Sequence, residues 1–244
     1  MGEVGAFPPS VTCHINALNY YHDYARLQFM NDKQVAHQVY QQLCVLQDLG
    51  FETWIGRVRE LARTFRIDTC VLYDCTNIDQ CRKIINTKVR ETFTSNWTDE
   101  LHNVQKNPLL RTYNLFKNDF HIEPYLNLID NNKYRFAVAQ LRASSHNLEV
   151  QRGRQTKPIT PLESRLCHKC NVVDDEQHFV TKCLLNNDER VKFYTDIYSL
   201  HSSFSNLNDN EKFIFLMKCN DSYILNQFGK FVYISFQKRK SLML

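Results

Sequence analysis

Glycine and proline are scarce in this chain, and their scarcity constrains the fold more than any other feature of the sequence. The 244 residues include 6 Gly and 6 Pro, together about 5% of the chain, whereas average usage of the two is about 12%. β-Sandwiches and barrels need turn residues at intervals of about 8 to 12 positions, and Gly and Pro are the strongest turn residues. We therefore predict a mainly α-helical protein, built as a multi-helix array.

Composition and spacing divide the chain into four predicted segments. Apolar residues recur at helical spacing through residues 1–142, which predicts a helical region. Residues 143–160 are polar and basic and contain Gly and Pro, so we expect a basic linker there. A small zinc-binding module is expected at residues 161–190. A C-terminal helical region should follow at residues 191–244, with a break near Asn220.

One of the helical patterns makes a specific prediction about burial. Val35, Val39, Leu43 and Leu46 recur at intervals of three or four residues before Gly50, which is a suitable residue to end a helix. We expect these four side chains to form the buried face of the second helix.

The sharpest motif in the sequence is Cys167-x2-Cys170-x7-His178-x4-Cys183. A Cys-x2-Cys pair suits a metal because a tight turn can aim both sulfurs inward. The acidic run at residues 174–176 suits the N-terminus of a helix that would carry the histidine. Three thiolates and one imidazole form a closed tetrahedral structural site. The motif therefore predicts a Zn²⁺ cofactor.

An alternative is that these cysteines are buried thiols and the histidine lies on the surface, since free Cys is among the most buried residue types. We favour zinc because Cys170 lies in a segment too polar for a core strand. Three neighbouring cations could offset the negative charge of the site: Arg165, Lys169 and Lys182. The other six cysteines are expected to be core thiols: Cys13, Cys44, Cys70, Cys75, Cys81 and Cys219. A second metal site is the alternative for the looser cluster of Cys70, Cys75 and Cys81.

A basic segment surrounds the start of this motif. Residues 131–170 carry eight Lys or Arg against two acids, an excess larger than the net charge of +4 on the whole chain. Arg can grip phosphate bidentately, and Ser and His can donate hydrogen bonds to phosphate or sugar. The segment therefore predicts a nucleic-acid-binding surface, although a solvated basic linker is the alternative. The predicted contacts are Arg142, Ser144, Ser145, His146, Arg152, Arg154, Lys157, Arg165 and Lys169.

Bulk properties narrow the cellular context. The N-terminus lacks the basic flank and apolar block of a signal peptide. No run approaches the roughly 18 apolar residues of a membrane span. We therefore expect an intracellular protein, nuclear or cytoplasmic, with reduced cysteines and no membrane partner.

The run from Leu141 to Leu148, the pair Gly153-Arg154 and the Cys-Cys-His-Cys motif carry a family resemblance. Together they resemble the C-terminal zinc-binding region, downstream of the polymerase, of non-LTR (LINE-type) retrotransposon reverse transcriptases. The resemblance implies the same four zinc ligands and a role in holding RNA or DNA. The sequence departs from the family pattern at Gln151 and Gln155, where we would expect an acid and an aromatic residue.

The polymerase itself has no counterpart in this sequence. The only adjacent aspartates, Asp174 and Asp175, lie inside the cysteine motif, so two-metal phosphoryl transfer has no candidate residues. We expect a non-catalytic, zinc-stabilised nucleic-acid-binding protein derived from the tail of a retroelement reverse transcriptase. Two alternatives stay open: a structural module that docks onto a reverse transcriptase or other protein subunit, and a fragment of a longer RNA-directed DNA polymerase.

Overall fold

A computed structural model of the chain describes residues 2–26, 35–73 and 77–242. Its helices are α1 (Pro9–Arg26), α2 (Val35–Asp48), α3 (Trp54–Thr64), α4 (Thr69–Tyr73), α5 (Ile78–His102), α6 (Tyr125–Leu128), α7 (Asn132–Arg142), α8 (Glu149–Gln155), α9 (Glu176–Thr181), α10 (Asn187–Leu200), α11 (Asp209–Lys218) and α12 (Ser222–Leu242). Short 3-10 turns occur at Pro108–Leu110, Tyr113–Leu115, Leu162–Ser164, Leu184–Asn186 and Ser202–Asn206.

The mainly α-helical prediction is confirmed. The described residues contain two isolated β-bridges besides the helices, Val4 with Ile122 and Leu166 with Val173. The predicted break near Asn220 is also confirmed, since α11 ends at Lys218 and α12 begins at Ser222.

The chain divides into two compact units. The N-terminal unit contains Ala6–Asp99, and the C-terminal unit contains Gly2–Gly5 together with Glu100–Leu244. This division differs from the predicted one, because residues 143–160 lie inside the C-terminal unit instead of linking two domains. The reason is burial: the segment includes α8, whose Val150 is 1% exposed.

The N-terminal unit has an apolar core formed chiefly by α1, α3 and α5. Fully buried members include Leu18, Ile55 and Ile85. The burial predicted for α2 is wrong at Val35, Val39 and Leu46, which are 75%, 47% and 41% exposed. The helix instead buries Tyr40, and Leu43 is partly buried against the same core.

The C-terminal unit is organised around α12, which packs along α7 and α10. Phe193 of α10 stacks on Phe231 of α12 with ring centroids 5.3 Å apart. Helix α9, which lies in the cysteine motif, packs against α11. These contacts bring the end of α12 to the cysteine motif.

The six other cysteines differ in burial. Cys81 is fully buried and disulfide-bonded, which departs from the expectation that every cysteine is reduced. Cys44 and Cys219 are partly buried, whereas Cys13 is exposed and is not a core thiol. Cys75 and the side chain of Cys70 lie outside the described residues.

None of the helices in the described residues is both long and apolar enough to span a membrane.

Candidate metal centre

A tight turn holds the first two cysteines of the motif. The backbone N–H of Cys167 donates to the carbonyl of Val172 at 2.8 Å, and the N–H of Asn171 donates back to the carbonyl of Cys167 at 2.8 Å. Asn171 has φ of 54°, in the left-handed region that Asn tolerates better than most residues. The backbone N–H groups of Lys169 and Cys170 are directed at the sulfur of Cys167.

Helix α9 supplies the histidine. Asp175 caps this helix by accepting a hydrogen bond from the backbone N–H of His178 at 2.8 Å. The backbone N–H of Cys183 in turn donates to the carbonyl of His178 at 2.9 Å, which closes the end of the helix. The acidic residues expected at a helix N-terminus therefore fix the position of the third ligand.

The four predicted ligands come together. The ligand atoms of Cys167, Cys170, His178 and Cys183 all lie within 4.8 Å of one another, so the group could hold a metal ion. The sulfurs of Cys167 and Cys183 are 3.8 Å apart. For a tetrahedral metal with bonds to sulfur of about 2.3 Å, the expected separation is also about 3.8 Å.

The histidine is placed as a ligand should be. It is 7% exposed, so the alternative of a surface histidine is wrong. Both ring nitrogens of His178 are buried and lack a hydrogen-bond partner among the described residues. A buried polar atom without a partner is costly, and a metal ion would satisfy one of these nitrogens.

The titration of the site follows from its burial. Burial raises the pKa of the Cys167 thiol to about 11, although the two nearby backbone N–H groups oppose the shift. Burial lowers the pKa of His178 and so favours the neutral imidazole that binds metals. A metal ion at this site must therefore displace protons from the thiols.

A salt bridge that sequence analysis did not identify supports the site. Arg239 of α12 donates to both carboxylate oxygens of Asp174, at 2.8 and 2.9 Å, and to the sulfur of Cys183 at 3.0 Å. Arg239 is 4% exposed. Nothing in the sequence indicates this contact, because Arg239 lies 56 positions from Cys183 and is one of several basic residues at the end of its helix.

Asp174 also attaches α8 to the metal centre. Its carboxylate accepts a hydrogen bond from the backbone N–H of Glu149 at 3.0 Å, and its carbonyl accepts one from Val150 at 3.2 Å. Arg165 crosses α8 and donates to the carbonyl of Val150 at 2.9 Å. It passes so close to Gly153 that a Cβ there would lie 2.6 Å from the Arg165 side chain. Gly153 therefore permits this packing and does not mark a linker.

The three cations expected beside the ligands have different roles. Arg165 is buried and bonded to backbone carbonyls. Lys182 pairs with Asp209 at 3.0 Å, and Lys169 is exposed. A further buried cation, Arg190, donates to the carbonyl of Cys183 at 2.8 Å.

A second buried polar cluster lies in the C-terminal unit around Glu176. Its carboxylate accepts hydrogen bonds from the Ser144 hydroxyl at 2.6 Å and from the His146 ring at 2.9 Å. Burial alone would raise the pKa of Glu176, but these two partners lower it to about 2. Ser144 and His146, predicted to contact nucleic acid, instead hold the loop after α7 to the helix that carries His178.

Arg142 is likewise an internal residue. It is 2% exposed and donates to the Glu3 carboxylate at 2.8 Å, to Glu123 and to the carbonyl of Met217. Its guanidinium also lies over the ring of Phe116, 4.5 Å from the centroid. The structure therefore gives Arg142, Ser144, His146 and Arg165 partners inside the protein, because their polar atoms are buried and need them.

Five of the predicted nucleic-acid contacts reach the surface. Ser145, Arg152, Lys157 and Lys169 are exposed and Arg154 is half-buried. Arg152 pairs with Glu149 at 2.6 Å, and Arg154 donates to Gln151 at 3.1 Å and to the carbonyl of Pro108.

Comparison of the chain with protein-family models, with curated proteins and with solved structures finds no match.

Proposed function

We propose that this chain is a non-catalytic, zinc-stabilised nucleic-acid-binding protein. Zinc is the metal that three sulfurs and one imidazole nitrogen at tetrahedral spacing suit best. Four protein ligands leave no open position for water or substrate, so the proposed role of the ion is structural.

The observation that carries the nucleic-acid proposal is a set of surface cations attached to the metal centre. Arg152, Arg154 and Lys157 lie on or just after α8, and α8 is bonded to Asp174 beside the ligands. Burial, and then the charge of Arg165, lower the pKa of Arg154 although Glu176 opposes the shift, so cations lie close together at α8. An electropositive surface on a rigid support suits the phosphates of RNA or DNA.

The proposed origin is the C-terminal tail of a non-LTR retrotransposon reverse transcriptase. Its support is the resemblance of the run from Leu141 to Leu148 and of the cysteine motif to that region. Reading the genomic sequence upstream of the chain tests this origin, and also the alternative of a longer polymerase. An upstream open reading frame with paired catalytic aspartates would favour the longer polymerase.

Binding is best tested by fluorescence anisotropy with labelled single-stranded RNA, single-stranded DNA and duplex DNA over a salt series. We expect affinity to fall as salt rises, because each phosphate contact releases counterions. The test variant combines Arg152→Gln, Arg154→Gln and Lys157→Gln. The matched control combines Arg57→Gln, Arg63→Gln and Lys83→Gln, which remove the same charge from exposed residues of the N-terminal unit.

The α8 variant should lose about 10- to 100-fold in affinity near 0.1 M salt and show a salt slope shallower by about two for single strands. The control should stay within about threefold of the parent. The proposal fails if the zinc-loaded parent binds none of the nucleic acids at low salt, or if both variants lose affinity equally.

The exposed apolar face of α2 favours a second candidate function, a protein-interaction module. Val35, Val39 and Leu46 share a side of the helix and are all exposed. An exposed apolar face is what a module that docks onto a reverse transcriptase subunit would need. A reverse transcriptase that co-purifies with the parent after nuclease treatment, and is lost on Val39→Asp with Leu46→Asp, would support this function. Val39 and Leu46 are exposed, so the double variant should fold like the parent. Unchanged folding of the variant is therefore the control.

A further inference from the structure

A cavity of about 370 Å³ lies in the C-terminal unit, between the loop after α7 and the last turns of α12. Its volume is within the range of small-molecule sites. The loop contributes Ser145, His146 and Asn147, and α12 contributes Phe236 and Lys240.

The wall of the cavity is held in place by buried bonds. Ser144 and His146 bind Glu176, and Ser144 adopts a φ of 52°, in the left-handed region. Phe236 stacks on buried Phe179 with ring centroids 4.9 Å apart. The loop and the aromatic ring are therefore held by contacts within the protein.

Some polar side chains around the cavity are bonded within the protein, such as His146 to Glu176, and others are not. Arg239 also lines the cavity, but its guanidinium is bonded to Asp174 and to the sulfur of Cys183. Within the described residues, the side chains of Ser145, Asn147 and Lys240 make no hydrogen bond. All three of these side chains can donate hydrogen bonds and Lys240 is cationic, so a ligand that carries an anionic group beside acceptor atoms is favoured here.

We infer that this cavity binds one nucleotide unit of a single-stranded nucleic acid. The base lies against Phe236, since every base offers a face that stacks on an aromatic ring. The phosphate lies near Lys240, and the amide of Asn147 and the hydroxyl of Ser145 bond the sugar or the base edge. A base paired within a duplex has both faces stacked and cannot enter, so the site selects single strands.

This inference rests on the proposed function and names its substrate class. The test compares labelled 12-nucleotide single strands of RNA and of DNA with a 12-base-pair duplex, all bound to the full zinc-loaded chain. The main variant is Lys240→Gln with Asn147→Ala, two exposed positions where folding should be unaffected. The matched control is Lys230→Gln, an exposed lysine on the same helix that does not line the cavity.

We expect the main variant to bind single strands about 5- to 10-fold more weakly and the duplex within about twofold of the parent. Phe236→Leu, which keeps an apolar contact on Phe179, should give a similar loss for single strands with no change in the salt slope. The RNA and DNA arms decide which sugar the site accepts.

Three outcomes would contradict the inference. If the cavity variants bind single strands like the parent while the α8 variant loses affinity, the cavity is not a nucleotide site but the proposed function stands. Equal losses for single strands and duplex would assign Lys240 to a general phosphate surface instead. If the parent binds no nucleic acid, the proposed function itself fails.

Discussion

The two units of the chain differ in what they bury. In the N-terminal unit the buried side chains are almost all apolar, and Leu18 and Ile85 are examples. Within the described residues, every buried Lys, Arg, Asp and Glu side chain lies in the C-terminal unit. Most of those charges occur in bonded sets around Arg142, Asp174 and Glu176, whereas Arg165 and Arg190 bond backbone carbonyls.

This difference predicts how each unit responds to change. An apolar core loses stability in proportion to the buried area removed, and it responds little to pH or metal. A buried charge network fails when one partner is removed, because the remaining charges stay buried without compensation.

The largest expected effect is that of removing the proposed zinc ion. Cys183→Ser, or a strong chelator, should unfold the region around residues 166–183, since structural zinc contributes about 10–16 kcal/mol in zinc-finger peptides. Hydrogen exchange followed by mass spectrometry should show loss of protection there, with α3 unchanged.

Cys13→Ser is the control, because Cys13 is exposed in the N-terminal unit. Metal analysis of protein purified without chelator should give about one zinc per chain, and less than about half an equivalent would count against the site. Equal loss of protection in both units would contradict the contrast between them.

The next largest effect is expected at Arg142. Arg142→Met should lower the free energy of unfolding by about 3 kcal/mol, because partly buried Glu3 would lose its cation and buried Glu123 would keep only Lys117. Arg63→Gln removes a cation that is 74% exposed in its pair with Glu60 and should change stability by less than about 1 kcal/mol. Urea denaturation measures the stability of both variants. If Arg142→Met is as stable as the parent but binds nucleic acid more weakly, Arg142 is a surface contact and not an internal residue.

A smaller effect should follow from Arg239→Gln, which removes the donor to Cys183 and the partner of Asp174. Groups that bond metal ligands typically change metal affinity by about 10- to 100-fold. Competition with a chromophoric chelator measures the zinc affinity. Lys238→Gln, a surface neighbour paired with Glu189, is the control, and equal affinities for the two variants would show that Arg239 acts only in packing.

The smallest effect concerns acid stability. Burial by itself would raise the pKa of Glu3. The charge of Arg142 and the hydrogen bonds that it donates lower this pKa by a larger amount, so the net shift is downward. A lowered folded-state pKa gives stability that is present above the unfolded value, near 4.3, and is lost as pH falls toward the folded value. Glu3→Gln should lower the melting temperature at pH 7 and reduce its fall below about pH 4.5. An acid dependence identical to the parent's would remove Glu3 from the network.

Much of the molecule was predictable because its signals are local. The sequence predicted the helical class, a helix that carries the histidine of the motif, and the break near Asn220. The four metal ligands were predictable because they lie within 17 consecutive residues, where a tight turn and one short helix suffice to bring them together.

The remaining features depend on contacts between distant segments. The α2 pattern was misleading because apolar spacing marks a face of a helix but does not say which face its neighbours cover. Arg142 and Arg152 have the same side chain and the same apparent role in the sequence. Arg142 is internal because Glu3, Glu123 and the carbonyl of Met217 bond its guanidinium.

The sequence by itself determined the helical class, the position of the metal ligands and the local excess of positive charge. The tertiary structure decided which cations face solvent, that Arg239 and Asp174 support the ligands, and that residues 143–160 belong to the C-terminal unit. The physical reason is that backbone spacing acts over a few residues, whereas the burial of a charge depends on partners up to 139 positions away, as between Glu3 and Arg142.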